Sequence, residues 1–424
     1  MPREMKDSGV RWVGMIPSNW SVHRNKNCFN CSKEIVGDKS AEIQLLSLTT
    51  KGIKEKCPED SAGKVPETYD TYQVVVPNDI VMCLFDLDVS AVFSGISPYF
   101  GMISPAYKVL KCRSDLLVPR YSAYWFSYVF DGRKFKHYAK NLRYTLNYDE
   151  FAVLPIILPS IDEQVRIADY LDTECSRIDS VIEKTHASIE EYKMLKKAVI
   201  TQVVTKGIRS NRQMKDSGIE WIGTIPEDWE IIKIKNAFKL RNERNNLPEE
   251  EVQLLSLYTG IGVFPQGEHY TASGNHAQTV EGYKIVKRND IVVNIILAWM
   301  GAIGVSDYDG VTSPAYDVYI PDMSRIIPHY YHYVFRTDGI AGECYKYGRG
   351  IMMMRWRTYY NEFRQISIPY PPKAEQQEIA EYLDRKCADI DSMISKKNEL
   401  LAELENYKKS LIFEYVTGKK EVPA

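Results

Sequence analysis

No Gly-x-x-x-x-Gly-Lys-Ser/Thr loop occurs in this 424-residue chain, so it has no recognisable loop for gripping the phosphates of ATP. Histidine is scarce, with seven in all. The closest pair, His329 and His332, finds no third ligand and is read as two surface histidines rather than a metal site. Eight cysteines without a dense framework argue for reduced thiols, not a secreted disulfide scaffold. Cys28 and Cys31 have the local spacing of a zinc pair, but no second pair follows, so they too are read as ordinary thiols. The longest apolar run, near 291–305, is interrupted by Asn294 and is too short to span a bilayer. Residues 1–7 lack the apolar core of a signal peptide, so a cytoplasmic protein is expected. A formal net charge of −2 supplies no global basic signal, and any surface for nucleic acid must be local.

What is present is a duplication. Residues 5–16 and 17–20, which open Met5-Lys6-Asp7-Ser8-Gly9 and continue through Trp12 to Trp20, return 209 positions later from Met214 to Trp229, with ten of sixteen residues identical. The segment 163–180 returns at 375–392, with eleven of eighteen identical. Gln-Leu-Leu-Ser-Leu (44–48, 253–257), Asn-Asp-Ile-Val (78–81, 289–292) and Ser-Pro-Ala-Tyr (104–107, 313–316) also occur in both halves. The chain is therefore two units of about 210 residues, each long enough for its own core.

Each unit begins with short β-branched runs, such as 72–76 and 80–85 in the first and 283–286 and 291–296 in the second, punctuated by Pro and Gly. A proline-marked strand, 154–159 or 366–372, closes this part. Proline then disappears for more than forty residues. An apolar seam follows through Ile178, Ile182, Ile189, Tyr192, Val199 and Val203, and through Ile390, Ile394, Leu401, Leu404, Leu411 and Tyr415. It steps by threes and fours once the polar interruptions Thr185, Lys196, Lys397 and Lys408 are counted, which is coiled-coil spacing. Cys175 and Cys387 sit among these residues as small core side chains. Two long helices packed antiparallel are expected. Because the continuation missing after the second helix is found at Met5, the repeat is cyclic and the termini should lie close together. The predicted fold is α+β: two mixed α/β domains separated by two antiparallel coiled-coil helices, with a pseudo-twofold axis. Boundaries fall at 1–158, 159–207, 208–370 and 371–418. Glu191-Tyr192-Lys193 contains the Glu-x-Lys of many nucleases but lies on the striped helix, so it is read as helix surface.

Taken together, the Trp-x-Gly-x-Ile-Pro-x-x-Trp opening of each half, the Ser-Pro-Ala-Tyr segments and the Pro-x-x-x-Glu-Gln-x-x-Ile-Ala-x-Tyr-Leu-Asp start of each long helix resemble the specificity subunits of type I restriction-modification systems. The second half carries Pro371-Pro372 before Glu-Gln where the first has Pro159-Ser160. The resemblance implies two target recognition domains, each reading one part of a split double-stranded DNA sequence. It also implies two DNA methyltransferase subunits and restriction subunits as partners, with S-adenosylmethionine, ATP and Mg in those partners and no cofactor in this chain. No Asp-Pro-Pro-Tyr or Asn-Pro-Pro-Tyr is present, and Pro369-Tyr370-Pro371-Pro372 has the wrong order for an adenine-methylating pocket. The chain itself is expected to be non-catalytic.

A helix over about 173–205, roughly 33 residues and 50 Å long, would let the two domains occupy separate major-groove faces, which recur every ~34 Å. The variable segments differ, so the target should be asymmetric. Residues identical in both halves cannot distinguish two half-sites and suit scaffold or phosphate contact. Readers are expected at 54–71 and 264–282 and in the basic, aromatic segment before each exit strand. That segment holds Arg133, Lys134, Lys136, Lys140, Arg143 and Tyr144 in the first half, and Lys346, Arg349, Arg355, Trp356, Arg357 and Tyr359 in the second. Arginine can grip guanine or phosphate. Arg143 and Arg355, aligned by the repeat, are read as phosphate contacts; Tyr148 and Tyr360 are read as packing residues. Asp7, Trp12, Trp20 and their counterparts Asp216, Trp221 and Trp229 are read as structural, fixing where each domain meets its helix. Glu163 and Glu375 are read as carboxylates at positive helix ends. The alternative reading is a coiled-coil scaffold with weak or no DNA binding.

Overall fold

The computed structural model describes residues 3–50, 52–57, 68–88, 93–139, 144–267, 280–351 and 356–423. It divides into two compact units, Met1–His186 with Asn398–Ala424, and Ala187–Lys397. The fold is α+β in both.

In the first unit a four-stranded antiparallel sheet runs Phe29–Cys31, Lys108–Cys112, Ile80–Met82, Ser94–Ile96. The run Ile80-Val81-Met82 is buried throughout because both faces of this sheet are covered. Ile80 and Met82 face an aromatic core with Trp125, Phe126 and Phe135, while Val81 faces a second cluster with Leu46, Ile53 and Val109. The second unit repeats this arrangement. Phe238–Leu240, Tyr316–Pro321, Ile291–Asn294 and Ile303–Val305 form the sheet, Ile291 and Val293 face one core, and Val292 faces the other.

A helix starting at a proline packs beneath each sheet, consistent with the fixed φ of proline at a first helical position. In the first unit it is continuous, Pro119–Asp131. In the second it breaks into Pro328–Val334 and Asp338–Tyr347, where the Thr337 side chain caps the new helix at Ile340 N. The expected proline-marked exit strands form, Pro155–Leu158 pairing with Ser21–Arg24 and Ser367–Tyr370 with Glu230–Lys233.

The long helices are Ile161–Lys206 and Lys373–Val416, of 46 and 44 residues. The first therefore begins well before residue 173, so the expected length of roughly 33 residues was too short. The extra turns are held by side chains. The Gln164 amide accepts from Val118 N (2.8 Å) and donates to Leu116 O and Pro159 O (2.9 and 3.1 Å). Gln376 makes the same three bonds to Ile327 N, Arg325 O and Pro371 O. Beside each glutamine lies a glutamate that does more than face a helix end. Glu163 accepts from the buried Trp20 indole (2.9 Å) and from Arg3 (2.5 Å). Glu375 accepts from Trp229 (3.0 Å) and from Arg212, which also holds Asp228 at 2.6 Å. Trp20 and Trp229 are thus structural, as read. Asp7 and Asp216 cap the turns at Gly9 and Gly218.

Within each unit the two helix segments run antiparallel. In the first, Tyr170 meets Tyr415 and Asp179 meets Lys408. In the second, Tyr192 meets Lys397 and Lys196 meets Asp391. The polar interruptions of the seam are thereby satisfied. Thr185 back-bonds to Val181 O, while Lys408–Asp179 and Lys196–Asp391, related by the repeat, both close at 2.6 Å. These pairs are partly exposed, so a double-mutant cycle on Lys196→Ala and Asp391→Ala should give a coupling of only ~0.2–1 kcal/mol in urea unfolding. A coupling of several kcal/mol would contradict this reading of the pair as a solvent-screened surface contact. Cys175 and Cys387 are buried in the seam, as expected. The ends of the sequence meet in the first unit, where Gly418 lies against Pro17 and Trp20, and Lys419 Nζ donates to Met15 O. Among the described residues no helix is long and apolar enough to cross a membrane.

Candidate nucleic-acid interface

In the first unit the basic segment follows the helix Pro119–Asp131. The chain leaves it through Arg133, held in the left-handed region at φ 47°. Its guanidinium donates to Leu87 O at 2.8 Å and lies over the Phe93 ring, so it anchors a loop rather than projecting freely. A 3-10 turn, Lys134–Tyr138, is pinned by the fully buried Phe135. Lys134 Nζ then lies 5.3 Å from the centre of the Tyr128 ring and Lys136 Nζ 4.2 Å from that of Tyr144. Each ammonium is stacked on an aromatic face, worth ~0.5–1 kcal/mol at exposed sites. Tyr144 is also left-handed, at φ 45°, and its carbonyl accepts from Leu87 N. Arg133 and Tyr144 therefore grip the same loop residue from two sides. Lys140 and Arg143 lie outside the described residues.

In the second unit the corresponding segment is built differently. Arg349 and Arg357 form a two-way backbone bridge, with N–H to carbonyl distances of 2.9 and 3.0 Å, at the base of a loop. The Arg349 guanidinium lies 3.1 Å from Glu362 and over the Tyr359 ring at 5.5 Å. Arg357 donates to Trp356 O. Trp356 stacks on Tyr345 with centroids 5.0 Å apart and donates its indole N–H to Tyr345 O. Beneath them Thr358 is fully buried, tied to Ile295 O and Cys344 O. The loop base is thus fixed to the core while Tyr359 stays exposed. Lys346, one turn earlier, leans toward Glu343 at 3.6 Å. Arg355 lies outside the described residues.

The structure thus gathers Lys134, Lys136 and Tyr144 in one unit, and Arg349, Arg357 and Tyr359 in the other. Glu343 and Glu362 partly offset the second cluster, and neither was singled out in the sequence. Tyr128, Tyr345 and Trp356 also prove to be platforms for the cations or their loop, a role hinted at only by the interleaving of aromatic and basic residues. Tyr148 and Tyr360 pack inward as read; Tyr360 stacks on the buried Tyr319 at 6.1 Å. Of the two expected reader segments, only 54–57, 68–71, 264–267 and 280–282 are described.

The histidines need correction. His329 is half exposed and bonds Asp384 at 2.7 Å, whereas His332 is only partly exposed and is bonded to Arg336. Burial, and then the adjacent Arg336 charge, push its pKa down to about 3. Among the described residues no group of three His, Cys, Asp or Glu is placed to hold a metal. Burial raises the Cys28 thiol to about 11, which keeps it protonated and unreactive.

Residues 226–405 match the model of a family described as the type I restriction modification DNA specificity domain. The chain is 23% identical to a putative type I restriction enzyme specificity subunit, MjaX, of Methanocaldococcus jannaschii over 97% of its own length and 96% of that protein's. It is 21% identical to the EcoBI specificity subunit of Escherichia coli, covering 98% of this chain and 90% of that one. Among solved structures, it superposes on a chain from a study of assembly and conformational transition of the type I R-M system with a TM-score of 0.70 at 13% identity, covering 96% of this chain and 99% of that one. The HsdS subunit of Thermoanaerobacter tengcongensis superposes with a TM-score of 0.52 at 13% identity, covering 96% and 98%.

Proposed function

We propose, from the premise that residues 226–405 carry a type I restriction modification DNA specificity domain within a chain similar throughout to specificity subunits, that this protein is a non-catalytic, sequence-specific DNA-binding subunit. Its globular parts, 1–158 and 208–370, each read one half of a split, asymmetric target, and the helical parts, 159–207 and 371–418, join them. It directs adenine methylation and restriction by partners: two DNA methyltransferase subunits and restriction subunits, which carry S-adenosylmethionine, ATP and Mg. It works in the cytoplasm. The DNA-facing residues are Lys134, Lys136, Lys140, Arg143 and Tyr144 in the first unit, and Lys346, Arg349, Arg355, Arg357 and Tyr359 in the second.

One observation carries this reading. The glutamine clamp is reproduced bond for bond and the Trp–Glu–Arg network recurs in the two units, whereas the cationic segments are built differently. A scaffold that only joined proteins would have no use for that combination; two readers of different half-sites would.

The test is equilibrium binding to duplexes over a range of salt. A specific binder loses affinity steeply as salt rises, yet keeps a preference for one sequence. Weak binding with neither property would favour the coiled-coil scaffold.

A further inference from the structure

Arg336 and His332 stand where the repeat places Ser127 and Ala123, His332 on the helix Pro328–Val334 and Arg336 in the turn that follows it. In the second unit the Arg336 guanidinium bonds His332 Nε2 at 2.6 Å and also donates to Gly260 O. Arginine is donor-only, so His332 Nε2 must be an unprotonated acceptor. That state agrees with its partly buried position beside a guanidinium charge. Gly260 is in the turn between the paired strands Leu255–Tyr258 and Gly262–Pro265, and the His332 ring approaches the position of a Cβ on Gly262 to 3.5 Å. Helix and hairpin are thus bridged by one guanidinium with acceptors on both sides. Residues Gly260 and Gly262 have φ of 78° and 133°, so the turn that presents this carbonyl is one for glycine.

With Ser127 and Ala123 where Arg336 and His332 stand, the first unit has a helix and hairpin in the same places. Between them lies a cavity of about 390 Å³ lined by Thr49, Thr50, Gly52, Phe93, Ser127 and Arg133. Serine and alanine are too short to cross it. The difference therefore falls between two units whose other clamps are alike. The second strand of this hairpin, Gly262–Pro265, already enters 264–282, one of the segments where the halves diverge and where half-site readers are expected.

We propose that Arg336, held by His332, is a positioning residue that fixes the Gly260 hairpin and so sets specificity for the second half-site alone. This rests on the DNA-reading function proposed above. Because a partly buried guanidinium still needs its acceptors, removing Arg336 releases the turn.

The test uses the full chain with its methyltransferase partners and three duplexes: the complete target, one with the first half scrambled, and one with the second half scrambled. Wild-type protein comes first. If it distinguishes none of the three, the DNA-reading function fails and this inference with it. Given wild-type discrimination, Arg336→Ala should lower discrimination at the second half by about tenfold, with the first half unchanged. Amide exchange in 258–263 should quicken in parallel, and millimolar guanidinium ion should restore part of the lost discrimination. Where Arg336→Ala unfolds the unit, Arg336→Lys serves instead, since an ammonium keeps the charge but loses the fork. Unchanged discrimination at the second half, or equal loss at both halves, in the folded variant overturns the proposal.

Discussion

Replacing Glu375 with alanine is expected to destabilise the second unit by about 3 kcal/mol, because it strips one acceptor from two groups that water cannot reach freely. Trp229 is fully buried and its indole N–H has this carboxylate as its bonded partner at 3.0 Å. The Arg212 side chain is only 15% exposed and would be left with Asp228 alone. Glu375→Gln keeps an acceptor for the indole and should lose less. Glu163→Ala should act on the first unit in the same way, through Trp20 and Arg3. Amide exchange measured separately over the starts of the two long helices checks this. Each substitution should raise exchange in its own unit, and neither effect appearing would refute the network's role.

The second large effect concerns DNA. On the proposed reading, in which each arginine neutralises one phosphate, Arg349→Ala combined with Arg357→Ala should weaken binding across all sequences and reduce the log–log salt slope by about two. The geometry favours this outcome. Arg349 is already oriented by Glu362 and the Tyr359 face, and the backbone bridge joining the two arginines is anchored through Thr358, so the backbone presenting both is fixed. If the slope stays constant while one base position in the second half loses about 1–3 kcal/mol of selectivity, the pair reads bases instead. No change in either would remove both residues from the interface.

Much of the architecture was legible because it is periodic or repeated. The three-four spacing identified the helices, the prolines marked the exit strands, and recurrence of the same residues gave two units. The buried roles of Glu163 and Glu375 were not legible, since Trp20 and Arg3 approach from more than 140 positions away. Their joint recurrence was the available signal. Gln164 and Gln376 were hidden for the same reason. Lys196 and Lys408 read as interruptions because their aspartates sit on the other helix. Arg336 and His332 escaped comparison of the halves altogether, being present in only one. Of the candidate interface, composition revealed the cations but not the rings and glutamates that orient them.

The most direct test of the whole account is single-molecule sequencing of N6-methyladenine in host DNA, with this chain co-expressed with its methyltransferase partner or omitted. The account predicts one split, asymmetric motif, methylated on both strands and lost on omission. Methylation that is unaffected by omission, or no motif despite a stable complex, would contradict it.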